Sequence, residues 1–132
     1  MDNDITVTGN LAELPSLRLT RDDKEYLTGR IIASTRELSD SGEWVTRGTM
    51  GFNFVIFNAS LARAIHDLAE RCGNVRLTLT GVVEFTDWAE GGKHGTKIEI
   101  KVKDATVPVR GQKVSVTMRS SDSLDDTRDG EN

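Results

Sequence analysis

The stretch FNFVIFNASLARAIHDLAERCG, residues 52–73, decides the fold because it changes from strand to helix within one short joint. Residues 52–58 alternate with apolar side chains on both faces, which predicts a strand that is buried on both sides or uses one face for binding. Leu61, Ile65, Leu68 and Cys72 then recur at helical spacing, with Ser60 as the expected N-cap and Gly73 as the stop. No other segment predicts a good helix, so the rest of the chain is expected to be mostly β.

Strand patterns lie on both sides of this joint. Alternating or β-branched runs occur at residues 5–11, 26–38, 74–85 and 96–105. Residues 39–51, SDSGEWVTRGTMG, are interpreted as a long loop or hairpin tip. The order of five strands with one helix after the third is that of the OB-fold, a small Greek-key barrel. The fold class is therefore predicted to be all-β with one helix.

The chain length and the C-terminal pattern predict the domain organisation. The 132 residues suit one domain, with the OB-fold over residues 1–105. Residues 106–118 alternate again and are expected to form an additional strand that contacts another subunit. Residues 119–132 are acidic and polar, and they are predicted to be a disordered tail.

Composition excludes several classes of protein. No apolar run approaches the roughly 20 residues that span a bilayer, and one cysteine is typical of a reducing compartment. No catalytic triad or metal-ligand spacing is present, so we expect neither an enzyme, nor a metal, nor a cofactor. Of the net charge of −4, −3 belongs to residues 114–132 and only −1 to residues 1–113. Any nucleic-acid binding must therefore rest on local clusters of positive charge.

The hairpin over residues 81–100, GVVEFTDWAEGGKHGTKIEI, carries an aromatic without an evident core. Trp88 has polar neighbours and is predicted to lie at a glycine-rich tip, where its ring can stack on a base. Phe85 continues the alternation of Leu77 and Leu79, so we expect it to be mostly buried. The His66, Asp67 and Glu70 side chains of the predicted helix are interpreted as surface residues.

Four segments in order resemble the bacterial single-stranded DNA-binding protein family: ITVTGNL, GRIIAST, FNFVIFNASLA, and VRLTLTGVVEFTDW followed by KIEI. The resemblance extends over roughly residues 4–104. It implies an OB-fold and a homotetramer, or a dimer, and a cytoplasmic, nucleoid-associated location. It also implies sequence-independent binding of single-stranded DNA in replication, recombination and repair.

The resemblance also implies site residues. Trp88 matches the family's hairpin tryptophan, and Phe52 matches the aromatic that opens the third strand. Phe57 is adjacent to the position of another family aromatic, and Trp44 lies six residues after the position of a third, at Leu38. The predicted stacking set is Trp88, Phe52, Phe54 and Trp44, although one of the two phenylalanines is expected in the core or an interface. The predicted phosphate contacts are Arg18, Arg21, Arg30, Arg36, Arg47, Lys93, Lys97 and Lys101.

Two departures from the family are present, and the first is Leu14-Pro15 where the family has Asp-Pro after the first strand. The second leaves alternatives open. The family's acidic C-terminus ends in Pro-Phe and recruits replication and repair proteins, whereas this sequence ends in RDGEN. This difference is expected of a paralogue, of a phage or mobile-element version, or of a truncated chain, and it leaves the protein partners undefined. An alternative function is an OB-fold adaptor of the primosome or plasmid type, in which the aromatics contact proteins. RNA also remains open as a ligand, since stacking does not depend on the 2′-hydroxyl.

Overall fold

The computed structural model describes residues 4–118, apart from the side chains of residues 35–37 and of Arg47. This part of the chain contains six strands and one helix. In chain order they are β1 (Asp4–Leu11), β2 (Ser16–Leu19), β3 (Glu25–Leu38), β4 (Trp44–Ile56), α1 (Ala59–Cys72), β5 (Arg76–Glu90) and β6 (Lys93–Thr106).

The strands close into the predicted barrel. The sheet order is β1-β5-β6-β4-β3-β2, and β1 also pairs with β3, at Asn10–Ile32 and Leu11–Ile31. β4 and β6 are parallel, and the other pairs are antiparallel. The barrel therefore consists of β1, β3, β4, β6 and β5, with β2 as a short extra strand on β3. This is the OB-fold, which confirms the predicted fold class.

The core lies where the alternating apolar side chains of all five barrel strands meet. The largest fully buried side chains include Phe54 and Ile56 of β4, Leu77 and Leu79 of β5, and Ile100 of β6. α1 contributes its own buried stripe to the same cluster: Ala62, Ile65 and Ala69. The strand period of two and the helix period of 3.6 thus converge on one hydrophobic core.

Asn58 caps α1, and not Ser60 as predicted. The Asn58 Oδ1 accepts a hydrogen bond from the Leu61 backbone N–H at 2.9 Å. At the other end the Gly73 N–H donates to the Ala69 carbonyl at 2.8 Å. Among the described residues, α1 lacks the length and the apolar character of a membrane-crossing helix.

The loop predicted over residues 39–51 is wrong for most of its length. β4 begins at Trp44, and it pairs with β3 from Leu38–Trp44 to Leu27–Ile56. A register shift beside Thr35 and Arg36 breaks the strand alternation in this region. Gly48 and Gly51 have no side chains, so they do not contribute to the alternation by which a strand is recognised. These features concealed a strand that extends well beyond the barrel.

The additional strand predicted over residues 106–118 is also wrong. β6 ends at Thr106, and residues 107–118 form turns and irregular backbone. Pro108 has no backbone N–H that could donate to a neighbouring strand. The Gln112 side chain, and not a further strand, makes the hydrogen bonds to the Arg76 backbone. The Gln112 amide donates to the Arg76 carbonyl at 2.9 Å and accepts from the Arg76 N–H at 3.0 Å. The predicted tail, residues 119–132, lies outside the described residues.

Candidate nucleic-acid interface

A polar face of the sheet lies opposite the core. Arg30 of β3 is in register with Asn53 of β4, and Asn53 is in register with Glu99 of β6. Their strand neighbours Phe54 and Ile100 point into the core and are fully buried. We call the side of the sheet that carries Arg30, Asn53 and Glu99, with the side chains that share their alternation, the outer face.

A groove of about 550 Å³ crosses the outer face. Its lining includes Arg18, Tyr26, Arg30, Asn53, Lys97 and Glu99. Three of the eight predicted phosphate contacts line this groove: Arg18, Arg30 and Lys97. Positively charged, aromatic and hydrogen-bonding side chains in one groove suit a flexible polymer that has planar bases and a charged backbone.

Arg30 is held in place by the strands beside it. Its Nη1 donates to the Asn53 Oδ1 at 3.2 Å, and its guanidinium lies over Gly51 of β4. A Cβ at position 51 would collide with the guanidinium, so the glycine leaves the space that Arg30 occupies. Arg18 is held more weakly, because its Nε reaches the Thr28 Oγ1 at 3.4 Å.

Trp88 lies on the outer face but not in a loop. It is part of β5 and in register with Gly95 of β6, and the turn is reduced to Gly91 and Gly92 at φ 58° and 82°. Its indole lies across Gly95, where a Cβ would come within 2.9 Å of the ring. The side chain remains 46% exposed. The predicted loop position is therefore wrong, and Trp88 is an exposed aromatic on a regular strand.

Trp44 is the second large aromatic on this face. It pairs with Leu38, which shares the alternation of Arg30 along β3. Both side chains of the pair are exposed, Trp44 at 62% and Leu38 at 55%. The structure thus places an apolar pair at the far end of the β3–β4 hairpin, and the stacking role of Trp44 stays a prediction.

The two phenylalanines of β4 do not join the outer face. Phe54 is fully buried in the core, so its predicted stacking role is wrong: no ring face is free for a base. Phe52 is half-buried on the core side, where it is in register with Ile31. The structure does not bring Phe52 to the groove.

Phe85 is exposed and not buried as predicted. Its alternation with Leu77 and Leu79 was assigned correctly, but β5 extends past the barrel before it reaches Phe85, which is 62% exposed. Its cross-strand partner Ile98 is 44% exposed. These two side chains form a small apolar patch on the side of the hairpin opposite Trp88.

An aromatic pair on the outer face was missed from the predicted set. The rings of Tyr26 and Phe57 stack with centroids 5.6 Å apart, and the Lys101 Nζ lies 5.8 Å from the Phe57 centroid. The predicted set contains neither residue, although Phe57 is adjacent to a family aromatic position and Tyr26 begins the run over residues 26–38. The strand alternation of Tyr26 with Thr28 and Arg30 is the signal that could have placed it on this face.

The remaining predicted phosphate contacts differ in their surroundings. Lys101 pairs with Glu84 at 3.2 Å and Lys97 with Glu99 at 3.8 Å, whereas Lys93 is exposed beside the β5–β6 turn. Arg21 is exposed in the turn between β2 and β3. Arg36 and Arg47 lie in β3 and β4, but their side chains are outside the described residues. Carboxylates therefore compensate part of the positive charge of this face.

One group of side chains has donor types suited to a metal ion. His66, Asp67 and Glu70 of α1 place their donor atoms within 4.8 Å of one another. The two carboxylates are about half exposed, and exposed groups of this kind commonly hold no ion. The expectation of no metal site stays a prediction.

No protein-family model matches this sequence, and no curated protein matches it either. Solved structures do resemble it. The small single-stranded DNA-binding protein of Streptomyces coelicolor superposes with a TM-score of 0.65 at 15% identity, over 82% of this chain and 95% of that one. The Plasmodium falciparum SSB in complex with ssDNA gives 0.55 at 16% identity, over 79% and 90%. A deletion mutant of the single-stranded DNA-binding protein from Thermus aquaticus gives 0.62 at 17% identity, over 83% of this chain but 52% of that one.

These likenesses define the fold. The chain has the OB-fold of single-stranded DNA-binding proteins, in agreement with the sequence resemblance. At 15–17% identity the superpositions establish the backbone fold, and they give no information about the roles of individual side chains.

Proposed function

We propose that this protein binds single-stranded DNA along its outer face. The observation that carries the proposal is the presence of Trp88, Trp44 and the charged groove on one side of an OB barrel. The chain shares this fold with three single-stranded DNA-binding proteins, one of them in complex with ssDNA, which supports the same ligand class here.

Stacking supplies most of the affinity in this proposal. Base–aromatic stacking contributes about 1–3 kcal/mol per base and tolerates any base, because every base has a π-face. The body of the protein is near neutral, with 16 acidic and 15 basic residues over residues 1–113, so general attraction of a polyanion is weak. Arg18 and Lys93 then orient the phosphates, and binding weakens as salt rises.

We further infer that copies of the chain associate, as a homotetramer or a dimer. Within the described residues, β1 pairs along one edge with β5 but pairs with β3 only at Asn10 and Leu11, so its other edge has no strand partner over residues 4–8. A second cavity of about 460 Å³ adjoins this edge and includes Met50 and Phe52 in its lining. Val116 and Met118 are also exposed, so the predicted role of residues 107–118 as an oligomer contact remains a proposal. A monomeric sedimentation profile at micromolar concentration would contradict association.

Protection of single strands during replication, recombination and repair follows from this activity, in a cytoplasmic, nucleoid-associated setting and without catalysis. DNA is proposed over RNA on the resemblance, and competition between matched DNA and RNA oligonucleotides tests that choice.

The second candidate function is an OB-fold adaptor that acts through protein contacts. The exposed pair Phe85–Ile98 favours it, because this patch lies on the side of the hairpin opposite Trp88. Tryptophan fluorescence separates the two functions. Stacking on oligothymidylate quenches the indoles, whereas an adaptor that does not bind DNA leaves the emission unchanged.

A further inference from the structure

The row Arg30–Asn53–Glu99 places a carboxylate in the groove, which the proposed function assigns to a polyanion. Arg30, Asn53 and Glu99 are in register on three adjacent strands, and all three line the groove. Three strands span about 10 Å between the outer two, which is room for one base edge with a hydrogen bond at each end. We call these three residues the polar row.

A phosphate group would bind poorly at the polar row. Glu99 is in register with Glu84 of β5, so two carboxylates face the outer side at neighbouring positions. Each has a lysine nearby, Lys97 for Glu99 and Lys101 for Glu84, which leaves little net positive charge there. A phosphate at the polar row would meet a negative charge at short range, and that contact is unfavourable.

The hydrogen-bonding groups of the row are only partly used within the protein. Lys97 lies 3.8 Å from the Glu99 Oε2, too far for a hydrogen bond, and Glu99 has no hydrogen-bond partner among the described residues. The Asn53 Oδ1 accepts from Arg30, so its Nδ2 remains a donor. The row therefore offers donors at the Arg30 end and a free acceptor at the Glu99 end.

We propose that the polar row binds the edge of a guanine base, and this proposal rests on the proposed single-strand function. Guanine presents two adjacent N–H donors, N1 and N2, which a carboxylate can accept together, beside the acceptors O6 and N7, which suit Arg and Asn. Thymine, in contrast, has one N–H donor, at N3, that a carboxylate could accept. The protein thus combines sequence-tolerant stacking with a preference for guanine at one position along the strand.

The test uses equal-length oligonucleotides in which single guanines are separated by thymines, so that no guanine-rich structure forms. Their affinities are compared with those of all-thymine strands and of strands that carry hypoxanthine, which lacks the N2 amino group. We expect the guanine strand to bind about fivefold or more tightly than thymine, and hypoxanthine to lose most of that gain.

Glu99→Gln is the variant, and Glu84→Gln is its matched control, because it removes a carboxylate from the same face without touching the groove lining. We expect Glu99→Gln to abolish the guanine preference and Glu84→Gln to keep it. Both variants are expected to unfold at the wild-type temperature, since neither side chain is in the core.

Three results would overturn the proposal. Equal affinity of the wild type for guanine, hypoxanthine and thymine strands would remove the preference itself. A preference that survives Glu99→Gln, or one that Glu84→Gln removes equally well, would make Glu99 a general negative charge and not a base contact. In these cases the strands still bind and the proposed function stands, whereas no binding of any strand would overturn the proposed function and the guanine preference together.

Discussion

The two hairpins that extend beyond the barrel carry one tryptophan each, and they are built differently. The β5–β6 hairpin keeps one register from Gly81–Val102 to Glu90–Lys93 and ends in a two-residue turn. The β3–β4 hairpin has a register shift beside Thr35 and Arg36 and a longer turn over residues 39–43. A regular ladder fixes the direction of its side chains, whereas a bulge twists the strand and redirects them.

The local support of the two indoles differs in the same way. Trp88 lies across Gly95 and is 46% exposed, while Trp44 is 62% exposed and is in register with the exposed Leu38. A ring that is already held on the sheet loses less conformational freedom when a base stacks on it. We therefore expect Trp88 to contribute more to binding than Trp44.

The largest effect is expected from Trp88→Ala. Loss of one stacked base costs about 1–3 kcal/mol, which is about 5- to 150-fold in Kd. Fluorescence anisotropy of a labelled oligothymidylate measures this loss without relying on the indoles. The matched control is Phe85→Ala, which removes an exposed aromatic from the opposite side of the same hairpin. An equal loss in both variants would contradict a role specific to the outer face.

A smaller loss is expected from Gly95→Ala. The new Cβ would come within 2.9 Å of the Trp88 ring and displace the indole from the strand surface. Gly48→Ala is the control, because a Cβ at position 48 would meet no atom within 4 Å in the part of the chain that the structure describes. Wild-type affinity of the Gly95 variant would show that the present position of the indole is not the one that binds.

Trp44→Ala is expected to weaken binding less than Trp88→Ala. These are the two tryptophans of the chain, so each variant leaves one indole as the reporter. Titration of Trp44→Ala should retain most of the quenching through Trp88, and titration of Trp88→Ala should retain little. The reverse order would break the comparison between the two hairpins.

The smallest effect is expected from Arg18→Gln, at a residue that lines the groove outside the polar row, and it should appear mainly in the salt dependence. Removal of one phosphate-orienting cation reduces the slope of log Kd against log salt by about 1. Arg63→Gln is the control, because Arg63 of α1 pairs with Glu25 and does not line the groove. An unchanged slope for Arg18→Gln would contradict a phosphate contact at Arg18.

The parts of the fold that the sequence predicted are those in which alternation and burial coincide. β5 alternates Leu77 and Leu79 into the core, and α1 repeats its apolar side chains at helical spacing, so both were placed correctly. Alternation fails as a guide where a strand leaves the barrel. Phe85 keeps the core-facing alternation but has no core beneath it, and Trp88 has polar neighbours because both sides of its hairpin meet solvent.

The candidate site was only partly accessible from sequence for a related reason. Phe54 is buried, whereas the two tryptophans are exposed. This difference depends on the pairing of β4 with β3 and β6, because that pairing brings together residues that are far apart in the chain. The polar row is likewise a product of register: Arg30, Asn53 and Glu99 have no shared motif. Local pattern predicts which residue types can bind DNA, and tertiary pairing decides which of them share a face.

The most direct test of the central claim is titration of the intact protein with a long oligothymidylate, followed by tryptophan emission at low and at high salt. Stacking of bases on Trp88 and Trp44 predicts strong quenching at low salt that weakens as salt rises. Unchanged emission at low salt, confirmed by unchanged anisotropy of the labelled strand, would contradict single-strand binding and assign these aromatics to a protein partner.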